Sequence, residues 1–176
     1  VILRSTVAVG TTRNIVLPIL KQKIDHPQIA FCSERTLEGK ALEEIFTLPQ
    51  VIGAMDEKSL RRASSIFHKI TPTVVEVSSL ETAEIIKLLD NVYRDTQFAL
   101  ANEIAEICEN FGINGHETIR AASLGYNRTN IALPGYVGGP CLEKDPYILA
   151  YSLKNYEYEP KLIMNARSLH EKLQGR

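Results

Sequence analysis

The stretch Ser78–Gly112, SSLETAEIIKLLDNVYRDTQFALANEIAEICENFG, decides how the chain divides. Ser78 with Glu81 three positions later has the pattern of a capping box. Apolar residues from Ile85 through Leu88, Val92, Ala99 and Ile104 to Ile107 then keep helical spacing until Gly112 ends the run. The spacing predicts one helix of about 30 residues, longer than a small domain ordinarily uses. Its apolar positions nearly encircle it, so it is expected to be buried between other helices or between subunits.

Before this helix the chain reads as strands alternating with helices. Val1–Val9 has the β-branched density of a strand, and Ile29–Glu34, Gln50–Met55 and Thr73–Ser79 read as further short strands. Amphipathic segments follow Gly10-Thr11-Thr12 to about Lys23 and run through DEKSLRRASSIFHKI, residues 56–70. That alternation predicts a parallel or mixed α/β sheet. After the long helix no strand pattern recurs, and further helices are expected from about His116 to Ser123, Pro146 to Asn155 and Pro160 to Leu173. An α/β part, residues 1–79, is thus expected to pass into a helical part, residues 80–176.

With 44% hydrophobic and 23% charged residues, the 176-residue chain can form a packed core. Its 20 basic and 21 acidic side chains balance to −1, with no basic run interleaved with aromatics, which argues against nucleic acid as a partner. No apolar run approaches the roughly 20 residues of a spanning helix, and the start lacks the order of a signal peptide. These features place the protein in the cytoplasm. The three cysteines have no paired spacing, which argues against disulfides and against a metal site. The chain opens inside an apolar run without an initiator methionine and closes on Gln174-Gly175-Arg176 directly after a helical pattern, as a piece of a longer protein would.

YVGGPCLEKDP, Tyr136–Pro146, is the segment with the most chemical potential. Cys141 follows Gly138-Gly139-Pro140, in a loop whose backbone can approach a ligand, and Lys144 could stabilise its thiolate. The competing reading makes Asp145 a helix cap before Pro146 and Cys141 a small apolar residue. Lys87 and Asn91 stand four apart on the long helix and could hold one oxygen-bearing ligand, or could form a solvated face. Glu34 and Glu38 lie after a predicted strand, where α/β proteins place ligand groups, or serve solubility.

Taken in order, STVAVGTT (Ser5–Thr12), ERTLEGKA (Glu34–Ala41), VIGAM (Val51–Met55), the long-helix segment Ala83–Cys108 and LPGYVGGPCLEKDPY (Leu133–Tyr147) resemble the UDP-glucose/GDP-mannose dehydrogenase family. The resemblance implies NAD as cofactor and oxidation of the C6 hydroxyl of a nucleotide sugar to a uronate. It implies Cys141 as nucleophile, Lys87 and Asn91 on the C6 oxygen, Asp145 as proton acceptor through water, and Glu34 in thioester hydrolysis. Thr6, Glu38 and Lys144 would lie at the cofactor, and Arg128, Tyr136, Gly138 and Gly139 at the substrate. A homodimer through the long helix is implied as well. YRDTQFALANE and GYVGGPC look closer to members acting on UDP-N-acetylhexosamines such as UDP-N-acetylmannosamine. The family's GxGxxG strand-turn is absent, as is its terminal nucleotide-gripping domain. The chain therefore resembles the last part of a Rossmann-like sheet joined to a mainly helical central domain, and by itself is expected to be inactive. Two alternatives stand beside this reading: a non-catalytic dimerisation core, and a different NAD-dependent dehydrogenase that needs no cysteine.

Overall fold

A computed structural model describes residues 1–174; Gly175 and Arg176, read above as the close of the chain after its last helix, lie outside the described residues. The chain forms two compact units, residues 1–89 and the residues from Asp90 onward.

The first unit holds four strands, β1 (Ile2–Leu3), β2 (Ala30–Phe31), β3 (Gln50–Ala54) and β4 (Val74–Glu76), side by side in chain order. β1 and β2 are parallel, β2 and β3 antiparallel, and β3 and β4 parallel, so the sheet is mixed. The segment Ile29–Cys32 is fully buried, and its side chains alternate between the two faces. Ile29 and Phe31 pack with Leu17, Leu80 and Ala83, whereas Ala30 and Cys32 pack with Ile52, Ala63 and Phe67. Each large apolar side chain buried in this way contributes about 1.5–3 kcal/mol.

The unit also holds three α-helices. A π-helical turn, Thr12–Val16, continues into α1 (Leu17–Lys21). α2 (Ala41–Thr47) and α3 (Glu57–Phe67) follow, the latter capped by Asp56, whose carboxylate accepts from the Ser59 amide at 2.7 Å. The strand runs expected from sequence are longer than the strands that form. After Arg4, whose carbonyl accepts from the Glu34 amide, the first run leaves the ladder and turns at Gly10, where φ is +88°.

The long helix, α4, runs Leu80–Asn110, 31 residues. Its cap is Ser79, one residue later than the capping-box pattern indicates: Ser79 Oγ accepts from the Thr82 amide at 3.1 Å. Glu81 turns instead to Arg13, at 2.6 Å. Buried Glu84, on the same turn, accepts from the amides of Gly10 and Thr12 at 2.5 and 2.8 Å and so caps the helix that begins there. β3 passes close to this end of α4 at Gly53, where a Cβ would stand 2.0 Å from the Ser79 carbonyl oxygen.

The second unit contains the rest of α4 with α5 (Gly115–Ser123), α6 (Pro140–Ser152) and α7 (Lys161–Gln174).

Candidate active site

Within the second unit, the buried face of α4 interrupts its apolar stripe with polar residues: Asn91, Asp95 and Asn102 are all at least nine-tenths buried. A buried polar group without a partner is costly, so each has one. Asn102 pairs with both backbone groups of Gly135, donating to its carbonyl at 3.0 Å and accepting from its amide at 2.8 Å. Asp95 accepts from Arg167 Nη1 at 2.7 Å. Asn91 Nδ2 donates to Asp145 Oδ2 at 2.5 Å. Read backwards along α4, Asn102 and Asn91 hold Gly135 and Asp145 directly, and Asp95 holds Arg167, whose Nη1 reaches the Leu142 carbonyl between them.

That segment includes the start of α6. The sequence pattern at Asp145-Pro146 suggested a helix beginning there with Cys141 in the preceding loop; α6 instead begins six residues earlier. Gly139, at φ +103°, ends the loop, and Pro140 occupies the first turn, where a missing amide hydrogen costs nothing. Cys141 is consequently an exposed residue of the first helical turn, and Pro146 lies inside the helix. A proline there cannot donate to the carbonyl four residues back, Leu142. Arg167 Nη1 takes that carbonyl at 3.1 Å.

Asp145 is fully buried, and its second oxygen accepts from Lys144 Nζ at 2.6 Å. The ammonium expected to attend Cys141 is thus engaged by the neighbouring carboxylate. Asn91, Lys144 and Asp145 are brought together, with Cys141 one turn before Asp145 on α6. In the loop ahead of α6, Tyr136 is exposed, and its ring sits 2.6 Å from where a Gly138 Cβ would stand. The Arg128 guanidinium lies 4.7 Å from the centre of the Tyr126 ring. Lys87, half-buried, stands one turn before Asn91 on α4.

In the first unit, Thr6 and Glu34 are half-buried and Glu38 is exposed. All three follow the carboxyl ends of the parallel strands β1 and β2, where open α/β sheets bind their ligands. Arg4 Nη2 donates to Glu34 Oε2 at 2.5 Å, and the Arg35 and Thr36 amides donate to Oε1. Burial pushes the Glu34 carboxyl up, but the Arg4 and Thr36 hydrogen bonds and the Arg4 charge outweigh it and hold it at about 2. Burial also drives the Cys32 thiol up to about 11, against the pull of Arg4.

Sequence reading missed Arg4, Glu84, Asp95, Asn102, Arg167 and His170. Asp95 and Asn102 do leave a signal: with Asn91 they fall on the core side of α4 at helical spacing, where apolar residues are the rule. Their partners lie tens of residues away and leave none.

The mixed sheet and the long helix that follows it form an architecture that this chain shares with solved nucleotide-sugar dehydrogenases. The chain belongs to the UDP-glucose/GDP-mannose dehydrogenase family: the family's NAD-binding domain matches residues 1–71 and its central domain residues 81–172. NAD is accordingly the cofactor. A UDP-N-acetyl-D-mannosamine dehydrogenase of Methanocaldococcus jannaschii is 39% identical over 174 residues, 98% of this chain and 39% of the relative. The solved UDP-D-ManNAc dehydrogenase of Pyrococcus horikoshii superposes with a TM-score of 0.89 at 31% identity, over 99% of this chain and 42% of that one. An NDP-N-acetyl-D-galactosaminuronic acid dehydrogenase of Methanosarcina mazei gives 0.85 at 29% identity, over 99% of this chain and 40% of that one. The chain thus spans about two fifths of the length of the curated relatives it matches.

Proposed function

We propose that the protein carrying this chain oxidises C6 of a UDP-N-acetylhexosamine, foremost UDP-N-acetylmannosamine, from alcohol to carboxylate, supplying a uronate for polysaccharide synthesis. The observation that carries the reading is buried Asp145, held by Asn91 one turn beyond exposed Cys141. The names of the similar proteins support the substrate.

The residues present fit the cofactor. Thr6 and Glu38 follow the ends of parallel strands, and Ser33 Oγ, buried at the end of β2, has no hydrogen-bond partner among the described residues. When bound, NAD supplies the hydride acceptor for both oxidations. Thr6, Glu38 and Lys144 would hold it, and Lys144 would exchange its Asp145 partner to do so.

In the first oxidation the C6 alcohol loses a hydride, and its hydroxyl proton passes through water to Asp145. Lys87 and Asn91 bind the C6 oxygen and stabilise its developing negative charge. Cys141 Sγ then adds to the aldehyde carbon. The thiohemiacetal loses the second hydride and a proton to become a thioester, and water releases the carboxylate and the free thiol. First-turn amides of α6, which lack helical acceptors, suit the negative charge that appears beside Cys141. Glu34, with its carboxyl at about 2, stays ionised at any working pH and is a weak base, so it is suited to orient the hydrolytic water rather than to take its proton. The loop from Tyr136 through Gly138 and Gly139 wraps the sugar diphosphate with backbone amides, and Arg128 reaches a substrate bound to a partner subunit.

Residues 1–79 serve the cofactor and, through Glu34, the hydrolysis, and residues 80–176 serve the substrate and the dimer, with Lys144 at the cofactor. No described helix is long and apolar enough to cross a membrane. The substrates suit the cytoplasm. The 176-residue chain alone is proposed to bind NAD weakly and turn over little.

NADH released per sugar tests the function. The purified protein given UDP-N-acetylmannosamine, UDP-glucose or GDP-mannose should form two NADH per uronate, fastest with the first. Release of free aldehyde after one NADH overturns the thioester route, and preference for another sugar overturns the substrate.

A further inference from the structure

Arg167 is 1% exposed, on α7, and makes two contacts that bear on α6. One Nη1 serves both the Asp95 carboxylate at 2.7 Å and the Leu142 carbonyl at 3.1 Å. That carbonyl is the one Pro146 leaves without its helical donor. His170, one turn later on α7, places Nε2 3.0 Å from the Asp95 carbonyl oxygen. The energetics argue for a geometric purpose. Asp95 Oδ2 and Arg167 Nε have no hydrogen-bond partner among the described residues, and an apolar contact of similar shape holds helices together at least as firmly as a buried ion pair. What the pair adds is register: it fixes Leu142, while Asn91, one turn earlier on α4, fixes Asp145.

We propose that Arg167 is a positioning residue for the reaction, substituting for the backbone donor lost at Pro146 so that the α6 turn between Cys141 and Asp145 keeps one geometry. The inference rests on the reading of Cys141 and Asp145 as reacting groups. The proline opens the site, the guanidinium fills it, and Asp95 holds the guanidinium in place. Because the geometry of reacting groups governs the chemical step more than substrate capture, the loss of Arg167 falls on kcat rather than on KM.

A double-mutant cycle on the purified protein tests it, read by amide hydrogen exchange across residues 142–147 and by steady-state kinetics. Arg167→Gln should speed exchange on the order of tenfold and lower kcat by roughly ten- to a hundredfold with KM near the parent value. Pro146→Ala restores an amide hydrogen to the Leu142 carbonyl, so Pro146→Ala/Arg167→Gln should recover most of both losses. Losses that simply add would overturn the proposal, as would recovered exchange without recovered kcat in an active protein. If Arg167→Gln does not fold because Asp95 is left buried and charged, Asp95→Asn/Arg167→Gln removes the charge and still vacates the carbonyl, and the same recovery is expected on adding Pro146→Ala. Recovered exchange in a protein that oxidises no nucleotide sugar supports the clamp and sinks the dehydrogenase reading instead.

Discussion

Asn91 and Asp145, 54 positions apart, meet at 2.5 Å with Asp145 fully buried. A fully buried carboxylate depends on every donor it has. Asn91→Leu keeps the shape but removes one of them, leaving the carboxylate to Lys144. The variant should lose about 1–3 kcal/mol of stability in urea unfolding and most of its dehydrogenase activity. Parent-like stability would mean that the carboxylate does not need this donor.

Gly53 permits another close approach, β3 against the first turn of α4. A Cβ there would stand 2.0 Å from the Ser79 carbonyl oxygen and 3.0 Å from Ala83 Cβ, and the nearer obstacle is backbone, which cannot swing aside. Gly53→Ala should therefore cost about 1–3 kcal/mol or more, as overpacking does, and lower the thermal midpoint. An unchanged midpoint would show that the sheet and α4 yield easily.

Arg4 and Glu34 give the first unit a pH dependence of known sign. The carboxyl is held at about 2 in the folded chain against 4.5 when free, so its contribution is complete above pH 4.5 and drains away as the pH falls toward 2. Glu34→Gln lacks that contribution. The stability gap between parent and variant should be widest near neutrality and close in acid. A gap independent of pH would place the benefit of Glu34 in its amide contacts rather than in its charge.

The same contacts explain what the sequence could and could not disclose. The long helix was legible because its apolar spacing persists over 31 residues, and α3 because Asp56 caps it. α2 was not, since Ala41–Thr47 buries no residue and so carries no periodic apolar signal. The start of α6 was misplaced because proline marks a first turn by default, and here two prolines compete. Pro140 has the first turn, while Pro146 is tolerated inside the helix through a guanidinium 25 residues beyond the carbonyl it serves. Cys141, Lys87, Asn91, Asp145 and Glu34 came from motifs resembling a family. Arg4, Asp95 and Arg167 act through pairings that no local spacing encodes.

On α4, Tyr93, Leu100 and Ile107 recur every seven residues and are 61%, 46% and 51% exposed. That seven-residue spacing is the one a helix seam uses, and the homodimer proposed through α4 would cover the stripe. Sedimentation of the purified protein at micromolar concentration should give a dimer, and Leu100→Glu/Ile107→Glu a folded monomer. A dimer that survives both charges would use another surface.

Cys141→Ser separates the two oxidations. Serine can form a hemiacetal but is the weaker nucleophile and poorer leaving group, so an ester should form slowly and hydrolyse more slowly than the thioester. The first oxidation needs the cofactor, Lys87, Asn91 and a proton acceptor, and should survive in part. Uronate formation should fall by roughly three orders of magnitude, the equivalent of about 4 kcal/mol. In a single turnover the variant should give a slow burst of NADH and hold an aldehyde or ester on the protein. The remaining thiols should not take over, because Cys32 and Cys108 are buried and Cys32 is pushed up to about 11. Free uronate at close to the parent rate would leave Cys141 with no part in the chemistry, and the exposed first turn of α6 would need another explanation.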